Sequence, residues 1–456
     1  MDISKQLDGK ILLKEELHIE QDEIQQLLDL NQLTQIPSIT KTYFQLLCNR
    51  CGNKQPHLFG KIPCARCHKT HYYCRNCIDT GRAMECTMLY EWTGLQAKWS
   101  SQENPCSWEG KLTPAQTKAA KAIQQTIHQN AERLIWAVCG AGKTEMLFPG
   151  ITYALQQRKR ICLATPRSDV VRELMPRFQS AFPHTKMEAL YANSEHRTGE
   201  GQLILSTTHQ LIRYKHAFDV MIIDEIDAFP FHKDPSLHTL AARACKPISS
   251  RIYLTATPRK ELKRRVIKKK LPAEFVPVRF HGHPLPVPIH KMEWNLRKKI
   301  NNKKMPHTLA TFLEARNTQR QLLIFVPTIN QLPFVQQMLI GNFTSLTTVH
   351  AEDEKRKEKV IAFREKKYEL LITTTILERG VTFPSVDVVI LDAGHHVFDE
   401  AAIVQIAGRA GRSPKDPKGD VLLIHQGVTE SMNAAIKHIE GMNKRAKSMI
   451  KDGRDK

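Results

Sequence analysis

No apolar run in these 456 residues approaches the roughly 18–20 needed to cross a bilayer, and the longest stretches, such as Leu322 to Val326, are strand-sized. A membrane-spanning helix is therefore not expected. Met1 to Gln6 are acidic and polar where a leader carries its apolar stretch, so export is not expected either. Acidic residues are scarce as well: 46 Asp and Glu face 67 Lys and Arg, for a net charge of +21. Such a surface favours a polyanion as partner, and nucleic acid or an acidic membrane both qualify. With 21 Gly, 24 Pro and 41% hydrophobic residues, the chain is neither collagenous nor low in complexity. At roughly 100–200 residues per domain it holds two to four domains.

Cysteine is present but badly spread for a disulfide framework. Eight of the 11 lie between Cys48 and Cys106, and six of these form C-x-x-C pairs at 48/51, 64/67 and 74/77. Without export, that clustering reads as metal binding in a reducing compartment. One tetrahedral zinc takes four thiolates, and spacing leaves open which pairs supply them. A second site using His68, His71 or Cys86 also stays open. Residues 48–110 are thus expected to form a small zinc-binding module. Ahead of them, residues 1–47 place Ile19, Ile24, Leu27, Leu28 and Leu30 near helical spacing, as an N-terminal packing arm does.

After Leu112 the texture changes. Continuous apolar runs at Leu134–Cys139, Arg160–Pro166, Leu203–Thr207, Val220–Asp224 and Ile252–Thr257 alternate with helical stretches. Strands buried on both faces need such runs, so the fold class is α/β with parallel sheets. The pattern resumes at Leu322–Pro327, Leu370–Thr375, Val386–Leu391 and Val421–Ile424, beyond a basic run, Arg259–Lys270, and a connector with closely spaced prolines at 281–288. Two lobes are expected, 111–280 and 281–456, with a cleft between them. The basic run is either a polyanion surface or a solvated face. Met432, Ile436, Ile439, Met442, Ala446 and Met449 sit at the spacing of a packed terminal helix.

Chemistry concentrates at strand ends. Leu134–Cys139 runs into Gly140-Ala141-Gly142-Lys143-Thr144 and then a helical stretch, which makes a cradle of backbone N–H groups for phosphates. Lys143 is placed to reach the β and γ phosphates of ATP and Thr144 to ligate Mg²⁺. Ala137 stands where the strict pattern has Gly. Some eighty residues on, the strand Met221–Ile223 ends in Asp224-Glu225-Ile226-Asp227, so Asp224 can hold Mg²⁺ while Glu225 deprotonates water. Gln116, in Leu-Thr-Pro-Ala-Gln, carries an amide suited to an adenine edge. Thr165 and Arg167, and then Thr208, end strands with groups suited to a phosphodiester backbone. Arg409 and Arg412, three apart in Gly-Arg-Ala-Gly-Arg, are placed to approach the γ phosphate from the second lobe.

These pieces, in this order from Leu112 to Ile424, resemble the superfamily-two helicases, the DEAD/DEAH-like translocases. The resemblance implies two RecA-like lobes, ATP hydrolysis between them and single-stranded nucleic acid across both. It assigns Thr328, Thr374 and Thr375 to the strand, and Glu378, Arg379 and Gly380 to its coupling with ATP. Together with Cys-Asn-Arg-Cys-Gly and Tyr-Tyr-Cys-Arg-Asn-Cys, the chain resembles the ComFA-type late-competence family of Gram-positive bacteria. That family favours Cys48, Cys51, Cys74 and Cys77 for one Zn²⁺, with Cys64 and Cys67 less important. It implies a cytoplasmic motor for imported single-stranded DNA, peripheral at the inner face of the membrane. Its implied partners are ComFC-type and DprA proteins and the membrane DNA-uptake channel. The rival readings are a PriA-like replication-restart helicase and a nucleotide-gated DNA-binding scaffold.

Overall fold

The uninterrupted apolar runs become the strands of two parallel sheets in a computed structural model describing residues 3–192, 194 and 198–452. Helices cover both faces of each sheet, so a central strand has no solvent side, and every residue of Leu203–Thr207 and Val386–Leu391 is buried. The first lobe orders its strands Met187–Leu190, Leu203–Thr207, Ile161–Thr165, Phe218–Asp224, Cys245–Thr255, Glu132–Ala137 and Ala273–Val276. The second orders Ile289–Met292, Val421–His425, Val386–Leu391, Gln321–Phe325, Leu370–Thr373 and Leu346–Val349. These are two RecA-like lobes.

Four of these strands are invisible in the sequence pattern: Met187–Leu190, Ala273–Val276, Ile289–Met292 and Leu346–Val349. They are the four sheet edges. An edge strand has one neighbour and keeps part of its surface in water, so polar residues interrupt it, and Ile289–Met292 is exposed throughout.

The N-terminal arm and the cysteine module meet in one antiparallel sheet, where Ile11–Leu13 and Leu33–Pro37 flank Met88–Trp92. The helix Gln21–Asp29 buries Ile24 and Leu27 against Leu7, Leu12, Leu17, Leu33 and Tyr90. Two hairpins, Ile39–Lys41 with Leu46–Cys48 and Phe59–Pro63 with Thr70–Cys74, carry cysteines. Arg50 is fully buried between Cys48 and Cys51, and its Nη2 lies 2.7 Å from Glu16 Oε1. Arg213 of the first lobe meets the same carboxylate at 2.7 Å, and Arg243 donates to the Arg50 carbonyl. Two guanidiniums share one half-buried carboxylate, and Arg50 also donates to the carbonyls of Thr80 at 2.8 Å and Gly81 at 2.7 Å.

The terminal helix Glu430–Asp452 buries Met432, Ala435, Ile439 and Met442. Met432, Ile439 and Met442 each contribute roughly 1.5–3 kcal/mol, and Ala435 less. Its Asn443 brackets the connector, accepting from the Leu285 N–H and donating to the Leu285 carbonyl, both at 2.9 Å. Part of the basic run is committed within the protein. Arg259 pairs with Asp399 at 2.6 Å and Lys263 with Glu400 at 2.7 Å, both across the lobes, while Arg265 pairs with Glu132 at 2.6 Å. Among the described residues, no helix is long and apolar enough to cross a membrane.

Candidate active site

The strand Glu132–Ala137 delivers the loop Gly140–Thr144 to the turn Glu145–Leu147 and the helix Phe148–Gln156. Gly140 and Gly142 have φ of 77° and 69°, the left-handed region that glycine enters without a Cβ clash. Ala137 is still in the extended strand, so the departure from the strict pattern carries no backbone cost. The Phe280 N–H donates to the Gly140 carbonyl at 3.0 Å and fixes the loop from its far side. Gln116 braces the near side. Its Nε2 donates to the carbonyls of Ala141 at 2.8 Å and Gly142 at 3.2 Å, while its Oε1 accepts from the Thr113 N–H. Contact with an adenine edge requires exchange of these bonds.

At the end of Phe218–Asp224, Asp224 is half-buried, and its carboxyl is pushed up to about 6 by desolvation and by Glu225, against the pull of Lys143. Glu225 takes φ of 54°, a left-handed turn unusual for a residue with a side chain. Its Oε2 is buried without a hydrogen-bond partner, 3.7 Å from Arg379 Nη1. Two residues on, Asp227 is fully buried and accepts from Thr255 and Thr257 at the end of the neighbouring strand and from Arg379 of the second lobe. Burial opposes its charge, yet Arg379 and the two hydroxyls hold it well below the usual carboxylate range.

The second lobe closes the pocket from above. Arg409 donates from Nε to the Glu378 carbonyl at 3.1 Å, and Arg412 donates to Thr382 Oγ1 at 3.0 Å. Burial and mutual repulsion depress the pKa of Arg409, and burial depresses that of Arg412. Arg279, invisible in the sequence pattern because no motif contains it, joins them. It is 1% exposed, donates to the Gly411 carbonyl, and keeps Nε and Nη2 unpartnered. Crowded buried cations favour a polyanionic ligand. A cavity of about 520 Å³ brings together Gln116, Gly140, Ala141, Gly142, Lys143, Thr144, Asp224, Glu225, Arg409 and Arg412, with Arg279 on its wall.

A neighbouring cleft of about 960 Å³ holds Arg167, Thr374 and Thr375 together with Glu378 and Arg379. Gly380 and Val381 line both cavities. The other proposed strand contacts fall elsewhere. Thr165, which ends its strand, and Thr208, which opens the short helix Thr208–Arg213, are buried with their hydroxyls unpartnered, and Thr328 is exposed outside the cleft.

Cys48, Cys51, Cys74 and Cys77 converge, all buried, with sulfurs within 4.8 Å of one another. Cys48 to Cys77 is 3.7 Å and Cys51 to Cys74 is 3.5 Å. A tetrahedron with Zn–S bonds of about 2.3 Å has edges near 3.8 Å, so the donor set fits a closed structural zinc site. Cys64 and Cys67 lie outside it. Cys74→Ser is expected to abolish metal at this site and open the hairpins, read as zinc lost in elemental analysis together with new proteolysis between residues 48 and 86. Retention of full zinc by Cys74→Ser excludes Cys74 as a ligand.

Residues 1–91 match the family described as the competence protein ComFA N-terminal domain, 109–260 the type III restriction enzyme res subunit, and 304–414 the helicase conserved C-terminal domain. Competence protein ComFA of Bacillus subtilis (strain 168) is 43% identical over 447 residues, covering 98% of this chain and 96% of that one. The Streptococcus pneumoniae (strain ATCC BAA-255 / R6) competence protein ComFA is 37% identical over 404 residues, covering 85% and 91%. The fold is similar to that of Mycobacterium smegmatis helicase Lhr bound to ssDNA and AMP-PNP, with TM-score 0.52, 15% identity, and coverage of 73% of this chain and 48% of that one. Two helicase lobes behind a cysteine-bearing N-terminal domain, with near full-length identity to these relatives, place the chain in the ComFA family of competence proteins, helicase-like ATPases of superfamily two.

Proposed function

We propose that the chain is an ATP-driven single-stranded DNA translocase that drives DNA uptake during natural transformation. The observation that carries this reading is the continuity between the two cavities. Gly380 and Val381 line both, and Arg379 reaches from the cleft to Asp227 and Glu225. A strand lying on Arg167, Thr374 and Thr375 therefore bears on the same segment that positions the hydrolytic groups.

In this mechanism the loop N–H groups and Lys143 bind the ATP phosphates. Asp224 and Thr144 would hold Mg²⁺, which when bound would supply positive charge to the phosphates. Glu225 accepts the proton of the attacking water, and Arg409 and Arg412 turn from backbone and Thr382 partners towards the γ phosphate when the lobes tighten. The relatives named for competence support the uptake role, and the Lhr neighbour bound to ssDNA supports the ligand. Action at the inner face of the membrane, beside an uptake channel and with ComFC-type and DprA proteins, belongs to the same proposal.

The test compares ATP hydrolysis at fixed low salt with a homopolymeric single strand, with blunt duplex and without DNA. The single strand is expected to stimulate most. Its binding should weaken with salt at a slope of about −0.7 per phosphate neutralised. Equal stimulation by duplex turns the reading into a duplex remodeller, and no stimulation by either leaves a nucleotide-gated scaffold.

A further inference from the structure

We infer that the N-terminal domain holds a second thiophilic divalent cation, zinc, on Cys64, Cys67, Cys86 and His71. Cys64 and Cys67 sit at the tip of the hairpin Phe59–Pro63 with Thr70–Cys74, and Cys86 lies in the turn that enters Met88–Trp92. Their three sulfurs lie within 4.8 Å of one another, a set separate from the buried four-thiol cluster. Cys64 and Cys86 are 3.7 Å apart, close to the roughly 3.8 Å edge of a zinc–thiolate tetrahedron.

Packing does not explain this convergence. Cys67 and Cys86 are exposed and Cys64 is half-buried, whereas a cysteine kept for its bulk is normally buried. The hairpin tip has the form of a metal knuckle. The N–H groups of Arg66 and Cys67 point at the Cys64 sulfur, and the His68 N–H closes the turn on the Cys64 carbonyl at 2.9 Å.

His71, beside Cys67 and outside the set of three mutually close sulfurs, closes on the metal as the fourth donor. Its Nε2 is 3.0 Å from the Cys67 sulfur, and its Nδ1 is 3.6 Å from Glu85 Oε2. At 3.6 Å the Glu85 carboxylate is a neighbour of the ring and not yet its hydrogen-bond partner, on the side where a histidine ligand commonly gives its other N–H to a carboxylate. Glu85 is itself held by the Tyr72 N–H at 2.8 Å. Bound metal, on loss of the thiol protons, staples the hairpin tip to the root of the strand that runs through the centre of the N-terminal sheet.

The experiment uses the full chain, grown with zinc and purified with a mild reductant and no chelator. Elemental analysis is expected to give two zincs per chain. Release to a chromogenic chelator should be biphasic, with the exposed site emptying first. Cys86→Ser should lose the fast phase and one zinc while keeping the slow phase and ATP hydrolysis, which shows that the variant is folded. Cobalt replacement adds a second readout: the wild type should show two sites, and Cys86→Ser only the four-thiolate signature. His71→Ala should speed the fast phase at least tenfold, and an unchanged rate removes His71 from the ligand set. One zinc in the wild type, or two in Cys86→Ser, overturns the inference. So does a thiol count two below the 11 cysteines after unfolding in chelator, because it marks a disulfide instead of a metal site.

Discussion

Glu225→Gln protein is expected to bind ATP with near-normal affinity and to hydrolyse it about 10²–10⁴-fold more slowly, the usual span for loss of a general base. The substitution is nearly isosteric, so the left-handed turn at 225 and the approach of Arg379 survive it. What disappears is a carboxylate whose buried Oε2 makes no hydrogen bond and faces Arg379 Nη1 at 3.7 Å, an acceptor left for the proton of water. Asp224 and Asp227 cannot replace it, since one faces Lys143 and the other is filled by Thr255, Thr257 and Arg379. Lys143→Ala should differ in kind, losing binding and turnover together, because the lysine acts on the ground-state phosphates. Fluorescent nucleotide binding measured beside phosphate release separates the two effects. Wild-type hydrolysis by Glu225→Gln would remove Glu225 as the base.

Removing Arg409 should depress hydrolysis by up to about 10³-fold while leaving nucleotide affinity almost intact, as for an arginine supplied from the opposing domain. Arg409 is 2% exposed and rests on the Glu378 carbonyl, with Arg412 close enough to lower its pKa. A guanidinium held among like charges by one backbone carbonyl is poised to leave that partner for developing negative charge on phosphate. Arg409→Lys is the sharper control, because it keeps the charge and loses the planar fork, and it should rescue rate only in part. Equal losses of binding and rate in Arg409→Ala, accompanied by a lower melting temperature, would mark a structural residue.

The central strands were legible because double burial demands apolar side chains at every position, and the phosphate loop because glycine is needed where φ is positive. Gly408 belongs with them: a Cβ there would come within 2.9 Å of the Cys139 sulfur, which is why the second-lobe arginine motif carries glycine at the point of closest approach. Edge strands escaped detection for the opposite reason, since solvent on one side relaxes the pattern. Arg279 escaped because nothing local distinguishes it, and its role depends on Gly411, which lies 132 residues away and reaches it only in the fold. Thr165 was legible as a strand end but not as a buried one, because a strand's last residue faces the crevice or the core according to the next turn of chain, and Thr208 lies one residue past its strand, at the start of the short helix Thr208–Arg213. The basic run misleads in a similar way. Its charge is plain in the sequence, while the carboxylates Asp399 and Glu400 that neutralise part of it come from the other lobe.

The shared carboxylate of Glu16 fixes what travels with what. Arg50 ties the cysteine knuckle to it and Arg213 ties the first lobe to it, so these two units are expected to move together. The second lobe is joined to that body by side-chain contacts and one connector, and it is the part free to rock. A pair of dyes on the first hairpin and the first lobe should therefore keep a constant separation through a catalytic cycle. Moving the second dye to the far lobe should turn the same pair into a gauge of the stroke, with the hairpins as the long arm of the lever.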